Sequence, residues 1–229
     1  MSGANGNVAS VQADWESLRL AMVASQIRKR GIRSPRLLAA MERVPRHRFV
    51  PAEFAARAYN DEPLAIGHHQ TISQPYMVAA MTEALELTGS ERVLEVGAGS
   101  GYQAAVLAEL AREVVTIESR PSLAVSARER LAALGYTNVR VEIGDGTLGW
   151  AASAPFDAIV VAAAAPRVPP PLIEQLAEGG RLVIPVGREN RQTLMRLRKI
   201  NGKASEEPLF DCQFVPLRGQ FGWPEPSAG

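Results

Sequence analysis

The sequence has little cysteine, no long apolar run and no excess of charge of either sign. The single cysteine among 229 residues, Cys212, excludes a disulfide framework and leaves too few thiols for a zinc cluster, as is typical of a reducing compartment. Lys and Arg number 25 against 24 Asp and Glu, so the basic excess of a nucleic-acid-binding protein is lacking. The longest apolar run, 158–165, is far shorter than the roughly 20 residues that cross a bilayer, and no signal-peptide pattern opens the chain. We therefore expect a cytoplasmic protein that binds neither nucleic acid nor membrane.

The length is typical of one α/β domain, which we predict over residues 14–229 after a disordered tail at 1–13. Within that domain, residues 14–90 are expected to form helices and an active-site loop, and residues 91–229 the α/β core with C-terminal strands. Helical periodicity runs from about residue 14 to Gly31, and Ser34-Pro35 starts a second helix that Pro45 ends. A third short helix is predicted in 51–59, a structured loop over 60–74, and a fourth helix over 77–87.

From residue 92 onwards, short β-rich runs alternate with helical stretches. Strands are predicted at 92–96, 114–118, 139–143, 156–162 and 181–187, and helices at 104–110, 121–134 and 171–176. This alternation predicts a Rossmann-like α/β fold with a mostly parallel central sheet flanked by helices, preceded by an N-terminal helical extension. A hairpin is expected around Asn201-Gly202, with a last strand at 210–217.

A glycine-rich loop follows the first of these strands, with Gly97, Gly99 and Gly101 at its turn into a helix. Glycine lets the backbone approach a ligand closely and adopt positive φ. A dinucleotide-binding loop places its third glycine one residue later, where this chain has Tyr102, so that interpretation fails. Glu95 at the strand end suits a cationic or amino-bearing ligand better than a pyrophosphate. The loop therefore predicts S-adenosylmethionine, which carries a sulfonium and an amino group.

Two further carboxylates end the next strands along the chain. Glu118 is placed to accept the ribose hydroxyls, and Asp145, between Gly144 and Gly146, to accept from an adenine amino group. Ligands of open α/β sheets bind at this edge. Each residue also has a structural alternative, because acids at strand ends often cap helices or remain solvated.

The run Thr71-Ile72-Ser73-Gln74-Pro75 is the most distinctive in the chain. Together with the glycine loop, GDG at 144–146 and GGRLVIPVG at 179–187, it resembles the protein-L-isoaspartate (D-aspartate) O-methyltransferases over residues 22–217. The resemblance implies methyl transfer from S-adenosyl-L-methionine to the α-carboxylate of L-isoaspartyl residues in damaged proteins and peptides, with S-adenosyl-L-homocysteine as product. The methyl ester then cyclises to a succinimide, from which aspartate can re-form. Acceptance of D-aspartyl residues stays open.

The resemblance also implies the roles of individual residues. Ser73 matches the active-site residue of the family. The residues implied to line the cofactor are Thr71, Ile72, Ser73, Glu95, Gly97, Gly99, Gly101, Glu118, Ser119, Asp145 and Gly146. A carboxylate is already nucleophilic at pH 7, so Ser73 is expected to hold it in place rather than to attack. The alternative for Ser73 is the N-cap of the helix that follows.

Other candidate residues keep two interpretations each. His68 and His69 are adjacent and lack metal-ligand spacing, so no metal is predicted. Small side chains at 162–165 either give packing space or admit a substrate backbone, and Arg46 and Arg48 are either surface arginines or partners of a substrate carboxylate.

Two competing functions remain beside carboxyl methylation of damaged proteins. One is a methyltransferase for a small molecule, an RNA or a biosynthetic peptide, and the other is a catalytically silent adenosylmethionine sensor. A monomer is expected.

Overall fold

The structure is a computed structural model that describes residues 14–224. The predicted disordered tail at 1–13 lies outside the described residues, as does the segment 225–229. None of the helices between residues 14 and 224 is long and apolar enough to span a bilayer.

The N-terminal layer begins with helix α1, Trp15–Met22, which continues through a π-helical turn at Val23–Ile27 and a 3₁₀ turn at Arg28–Arg30. The Asp14 side chain caps the first turn, and Gly31 ends the segment in the left-handed region at φ 101°. The helix predicted for this stretch is therefore confirmed, although only its first part is regular α-helix.

The second predicted helix is also confirmed. Helix α2 spans Pro35–Arg43, with the Ser34 hydroxyl accepting a hydrogen bond from the backbone N–H of Leu37 at 3.3 Å. The short helix predicted in 51–59 is a 3₁₀ helix at Ala52–Arg57.

The loop predicted over 60–74 is wrong in part, because it contains a small antiparallel hairpin. Strands β1, Leu64–Gly67, and β2, Gln70–Ile72, pair across a two-residue turn made by His68 and His69. Both histidines have positive φ, at 51° and 56°, as two-residue hairpin turns require. Asn-Gly is the usual signal for such a turn, so the histidine pair concealed it.

The remaining elements form the α/β core. Its strands are β3 (Arg92–Val96), β4 (Glu113–Glu118), β5 (Val139–Ile143), β6 (Phe156–Val161), β7 (Leu176–Arg188), β8 (Arg191–Ile200) and β9 (Lys203–Cys212). Its helices are α3 (Pro75–Ala84), α4 (Tyr102–Ala108), α5 (Pro121–Ala133) and α6 (Pro170–Glu174). The sheet order is β5-β4-β3-β6-β7-β8-β9, parallel from β5 to β7 and antiparallel thereafter. The predicted mostly parallel sheet is confirmed.

The hairpin expected around Asn201-Gly202 is confirmed by strands β8 and β9, but the bounds of the last strand, predicted at 210–217, are wrong. Strand β9 begins at Lys203 and ends at Cys212, because its polar residues pair along β8 at the edge of the sheet. Edge strands commonly carry charged side chains, so the apolar pattern used for prediction does not find them. The chain then leaves this edge, and Pro216 forms an isolated bridge with Ala164.

Apolar residues cover both faces of the parallel sheet. Val93 and Leu94, consecutive on β3, belong to separate buried clusters, as expected when neighbouring side chains point to opposite faces. Because β3, β4 and β6 run parallel, their carboxyl ends meet at one edge, and the loops that follow them surround a single cavity.

Candidate active site

A cavity lies at the carboxyl ends of β3, β4 and β6, and most of the predicted cofactor residues line it. Those that do so are Thr71, Ile72, Ser73, Glu95, Gly97, Gly99, Glu118, Ser119 and Gly146. Gly101 and Asp145 lie outside its wall. The open α/β sheet therefore has its cavity where such folds bind ligands.

The glycine loop is held by hydrogen bonds to the carboxyl end of the neighbouring strand β4. The backbone N–H of Gly97 donates to the Ile117 carbonyl at 2.8 Å, and that of Gly99 donates to the Glu118 carboxylate at 2.8 Å. Gly99 has φ 51°, and a Cβ on it would lie 3.2 Å from Ile66 of strand β1. Glycine at this position thus lets the β1–β2 hairpin lie against the loop.

Gly101 has a packing role in the structure. It precedes α4 with φ 88°, and a Cβ there would lie 3.3 Å from Leu131 and 3.4 Å from Ala127, both on α5. A side chain at this position would therefore push α4 away from α5. Its part in cofactor binding remains a prediction.

Glu95 is fully buried in the cavity wall. One carboxyl oxygen accepts a hydrogen bond from the Thr116 hydroxyl at 2.5 Å, and the other, Oε1, has no partner within residues 14–224. Burial raises the pKa of Glu95 from its ordinary 4.5 to about 8, and the nearby Glu118 carboxylate acts in the same direction. In this structure the carboxyl group is therefore mainly protonated at pH 7.

Glu118 is also buried and already accepts two backbone hydrogen bonds. One oxygen accepts from Gly99, and the other from the backbone N–H of Arg120 at 3.0 Å. The carboxylate thus fixes the glycine loop. Because an ionised carboxylate has about four lone-pair sites, it retains capacity for ligand hydroxyls.

Asp145 caps a short 3₁₀ turn and anchors the C-terminal segment. One oxygen accepts from the backbone N–H and the hydroxyl of Thr147, at 2.9 and 2.7 Å. The other accepts from the backbone N–H of Gln220 at 2.8 Å. This segment includes Val215–Arg218, which line the cavity, so Asp145 helps to close it. Adenine binding by Asp145 remains a prediction.

Ser73 lies where the cavity opens into an outer groove. Helix α3 begins at Pro75 with Gln74 at the N-cap and no side-chain cap, so the N-cap alternative for Ser73 is wrong. Within residues 14–224 the Ser73 hydroxyl makes no hydrogen bond, whereas its carbonyl accepts from Arg46. The hydroxyl is therefore available to a ligand.

The outer groove shares part of its wall with the cavity. The shared residues are Thr71, Ser73, Ala162 and Val215, and the groove alone adds Pro63, Gln74, Met77, Gln213 and Phe214. Of the four alanines, Ala162 and Ala163 line the cavity, whereas Ala164 and Ala165 pair with other segments. Only the first two alanines therefore border space that a ligand can enter, and their role in admitting a substrate backbone remains a prediction.

The two arginines that were predicted as possible substrate contacts differ from each other. Arg48 is exposed, whereas Arg46 is completely buried beneath the Ser73 loop and lines neither the cavity nor the groove. His68 contacts the Ser122 hydroxyl at 2.8 Å. No group of three His, Cys, Asp or Glu suitable for a metal occurs in the part of the chain that the structure describes.

Several lining residues were not predicted, among them Gln70, Gln103 and the segment Val215–Arg218. Gln103 lies two residues after Gly101, so its nearness to the glycine loop was a usable signal. The C-terminal segment lacks any such signal, because long-range contacts with Ala164 and Asp145 bring it to the cavity.

The sheet order, the glycine loop after β3 and the acidic residues at the ends of β3 and β4 define the class: a Rossmann-like methyltransferase fold. The sequence profile of the protein-L-isoaspartate(D-aspartate) O-methyltransferase family matches residues 18–222. The chain belongs to this family.

Individual relatives agree with that assignment. The chain is 55% identical to a protein-L-isoaspartate O-methyltransferase of Syntrophus aciditrophicus, covering 91% of this chain and 97% of the relative. It is 57% identical to protein-L-isoaspartate O-methyltransferase 2 of Geotalea uraniireducens, covering 90% and 95%. A Plasmodium falciparum protein of this name, solved with S-adenosyl-L-homocysteine, superposes with a TM-score of 0.77 at 26% identity, covering 87% and 98%.

Proposed function

We propose that this protein transfers a methyl group from S-adenosyl-L-methionine to the free α-carboxylate of L-isoaspartyl residues in damaged proteins and peptides. The observation that carries the proposal is the place of Ser73. Its unpaired hydroxyl lies in the wall shared by the inner cavity, which contains the glycine loop, and the outer groove. A donor in the cavity and an acceptor in the groove would meet at this hydroxyl.

The residues of the cavity fit S-adenosylmethionine. Oε1 of Glu95, which has no partner within residues 14–224, is a buried polar atom in the wall. The positive charge of the cofactor would favour ionisation of Glu95, and this oxygen would then accept from the amino group. Glu118 would accept hydrogen bonds from the ribose hydroxyls. The glycine loop, which lacks side chains at Gly97 and Gly99, would let its backbone lie close to the ligand. When bound, the cofactor supplies a methyl group on a positively charged sulfur, and its transfer to a carboxylate oxygen leaves a neutral thioether.

The acceptor requires positioning rather than activation. An α-carboxylate, with an ordinary pKa of about 3.5, is ionised at pH 7 and needs no general base. The Ser73 hydroxyl would donate a hydrogen bond to one carboxylate oxygen and leave the other directed into the cavity. Ala162 and Ala163 have no bulky side chains, which supports entry of a peptide backbone beside Ser73. Water exclusion and alignment would supply most of the rate enhancement.

The further assignments belong to the same proposal. The partners are damaged proteins and peptides bearing isoaspartyl residues, whose methyl esters cyclise to succinimides and so return to aspartate. The enzyme acts as a monomer in the cytoplasm, and the single, partly buried Cys212 supports a reducing compartment. Burial raises the pKa of this thiol to about 11, so it is not a reactive thiolate.

A pair of peptides that differ only in isoaspartyl or aspartyl linkage tests the proposal. With radiolabelled cofactor, the isoaspartyl peptide is expected to gain a base-labile methyl group, and the aspartyl peptide none. Equal labelling of both peptides would contradict the proposed acceptor. Tight cofactor binding without any turnover would instead favour a sensor.

A further inference from the structure

Arg46 is a completely buried cation that lies beneath the loop carrying Ser73. Its Nε donates to the Ala58 carbonyl at 2.8 Å, and its Nη2 donates to the Ser73 carbonyl at 2.8 Å. The remaining nitrogen, Nη1, has no partner among residues 14–224. The Ser73 backbone is thus held directly by a charged group from the N-terminal layer.

No ion pair accompanies this guanidinium in the part of the chain from residue 14 to 224. Burial lowers the pKa of Arg46 to about 10, so the group remains charged at pH 7. The Cζ atom of Arg46 lies 4.8 Å from the centroid of the Tyr102 ring, and this cation–π contact compensates only part of the cost of burying the charge. A buried charge without a counter-ion is costly, and an apolar side chain would fill the same space at lower cost.

The contacts of Arg46 join three segments that are distant in sequence. Ala58 belongs to the N-terminal layer, Ser73 to the active-site loop, and Tyr102 to the cavity wall next to the glycine loop. The planar guanidinium can donate to two carbonyls while stacking on a ring, which an ammonium cannot do in the same geometry. The arginine therefore fixes the active-site loop relative to the cofactor loop.

We propose that Arg46 is a positioning residue for methyl transfer: by holding the Ser73 carbonyl it aims the Ser73 hydroxyl at the acceptor carboxylate. This inference rests on the proposed function. It differs from direct recognition of the substrate by Arg46, because the side chain reaches neither the cavity nor the groove. The positive charge beneath the loop also has the sign that favours an anionic acceptor above it.

The test compares Arg46→Lys and Arg46→Met with Arg33→Met, a matched change at an exposed arginine of the same N-terminal layer that lines neither the cavity nor the groove. Arg46→Met is expected to lower kcat on the isoaspartyl peptide about 10- to 100-fold, the effect of losing a charge-assisted hydrogen bond to the reacting loop. Arg46→Lys, which keeps a donor and the charge, is expected to lose less. The Kd of S-adenosyl-L-homocysteine should stay within about threefold in the Arg46 variants, since Arg46 does not reach the cavity. Arg33→Met should leave kcat unchanged.

A double-mutant cycle separates positioning from general stabilisation. In the presence of Ser73, Arg46→Lys should lower kcat several-fold, whereas in a Ser73→Ala background it should have almost no further effect. Because this cycle uses the lysine variant, it can be measured even if Arg46→Met does not fold. Thermal unfolding of each protein verifies that it is folded under the assay conditions. Equal losses in both backgrounds, or no loss in either, would overturn the role of Arg46. A wild-type enzyme inactive on the isoaspartyl peptide would refute the proposed function instead.

Discussion

Glu95→Gln is expected to stabilise the ligand-free protein at pH 7.5 and to make its stability depend less on pH. Glu95 is fully buried, one of its carboxyl oxygens has no partner within residues 14–224, and burial raises its pKa to about 8. Glutamine has nearly the same shape, can still accept from the Thr116 hydroxyl, and cannot ionise. The change therefore removes the ionisation and puts an amide NH2 group in place of the carboxyl O–H, an effect that does not depend on pH.

The sign and size follow from proton linkage. Between pH 4.5 and 8 the folded protein retains a proton on Glu95 that the unfolded chain releases, so stability is lost as pH rises through this window. One such group gives a slope of about 1.4 kcal/mol per pH unit. Between pH 5.5 and 7.5 the wild-type protein should therefore lose about 2–3 kcal/mol that the glutamine variant keeps.

Urea unfolding at pH 5.5, 6.5 and 7.5 measures this effect. The useful quantity is the difference in unfolding free energy between variant and wild type at each pH, because other titrating groups cancel in it. The exposed Glu53 provides a matched Glu→Gln control, for which the difference should not change with pH. A difference for Glu95→Gln that is constant from pH 5.5 to 7.5 would refute the protonated state of Glu95.

Three further substitutions test other parts of the site. Ser73→Ala should lower kcat much more than it changes cofactor Kd, and unchanged turnover would remove Ser73 from the mechanism. Asp145→Ala should weaken cofactor binding, measured by calorimetry. It should also speed proteolysis of the C-terminal segment, because the backbone N–H of Gln220 loses its hydrogen bond to Asp145. Wild-type cofactor affinity together with wild-type resistance to proteolysis would contradict these roles of Asp145. Gly101→Ala should lower the free energy of unfolding, measured in urea, by about 1–3 kcal/mol, because alanine is strained at positive φ and its Cβ would crowd Leu131. An unchanged free energy of unfolding would contradict the packing role of Gly101.

The α/β core could be predicted because its signals are local. Residues 92–96 and 156–161 each form a short β-rich run, and both became buried central strands. The hairpin turn at Asn201-Gly202 could be predicted, but the extent of strand β9 could not, since its polar residues adopt a strand through pairing with β8. The β1–β2 hairpin was missed for a related reason: three- and four-residue strands have too few positions to show alternation.

The candidate site shows the same division between local and distant information. Glu95 and Glu118 end consecutive strands, so their common edge followed from the predicted parallel order. Arg46 was treated as a surface or substrate-facing residue, because arginine is rarely buried without a partner. Only the tertiary packing shows that it supports the Ser73 loop from beneath.

The two halves of the site therefore carry different kinds of evidence for function. The cofactor half is built mainly from strand ends and from one loop, so a short sequence pattern is enough to identify it. The groove that we propose for the acceptor is lined by Thr71, Ser73, Gln74, Ala162 and residues 213–215. The last of these reach it because the C-terminal segment crosses from β9 to the end of β6. Since no local pattern encodes that meeting, the acceptor must be argued from family membership and from the geometry at Ser73. The paired-peptide assay and the cycle between Arg46 and Ser73 are therefore directed at this half.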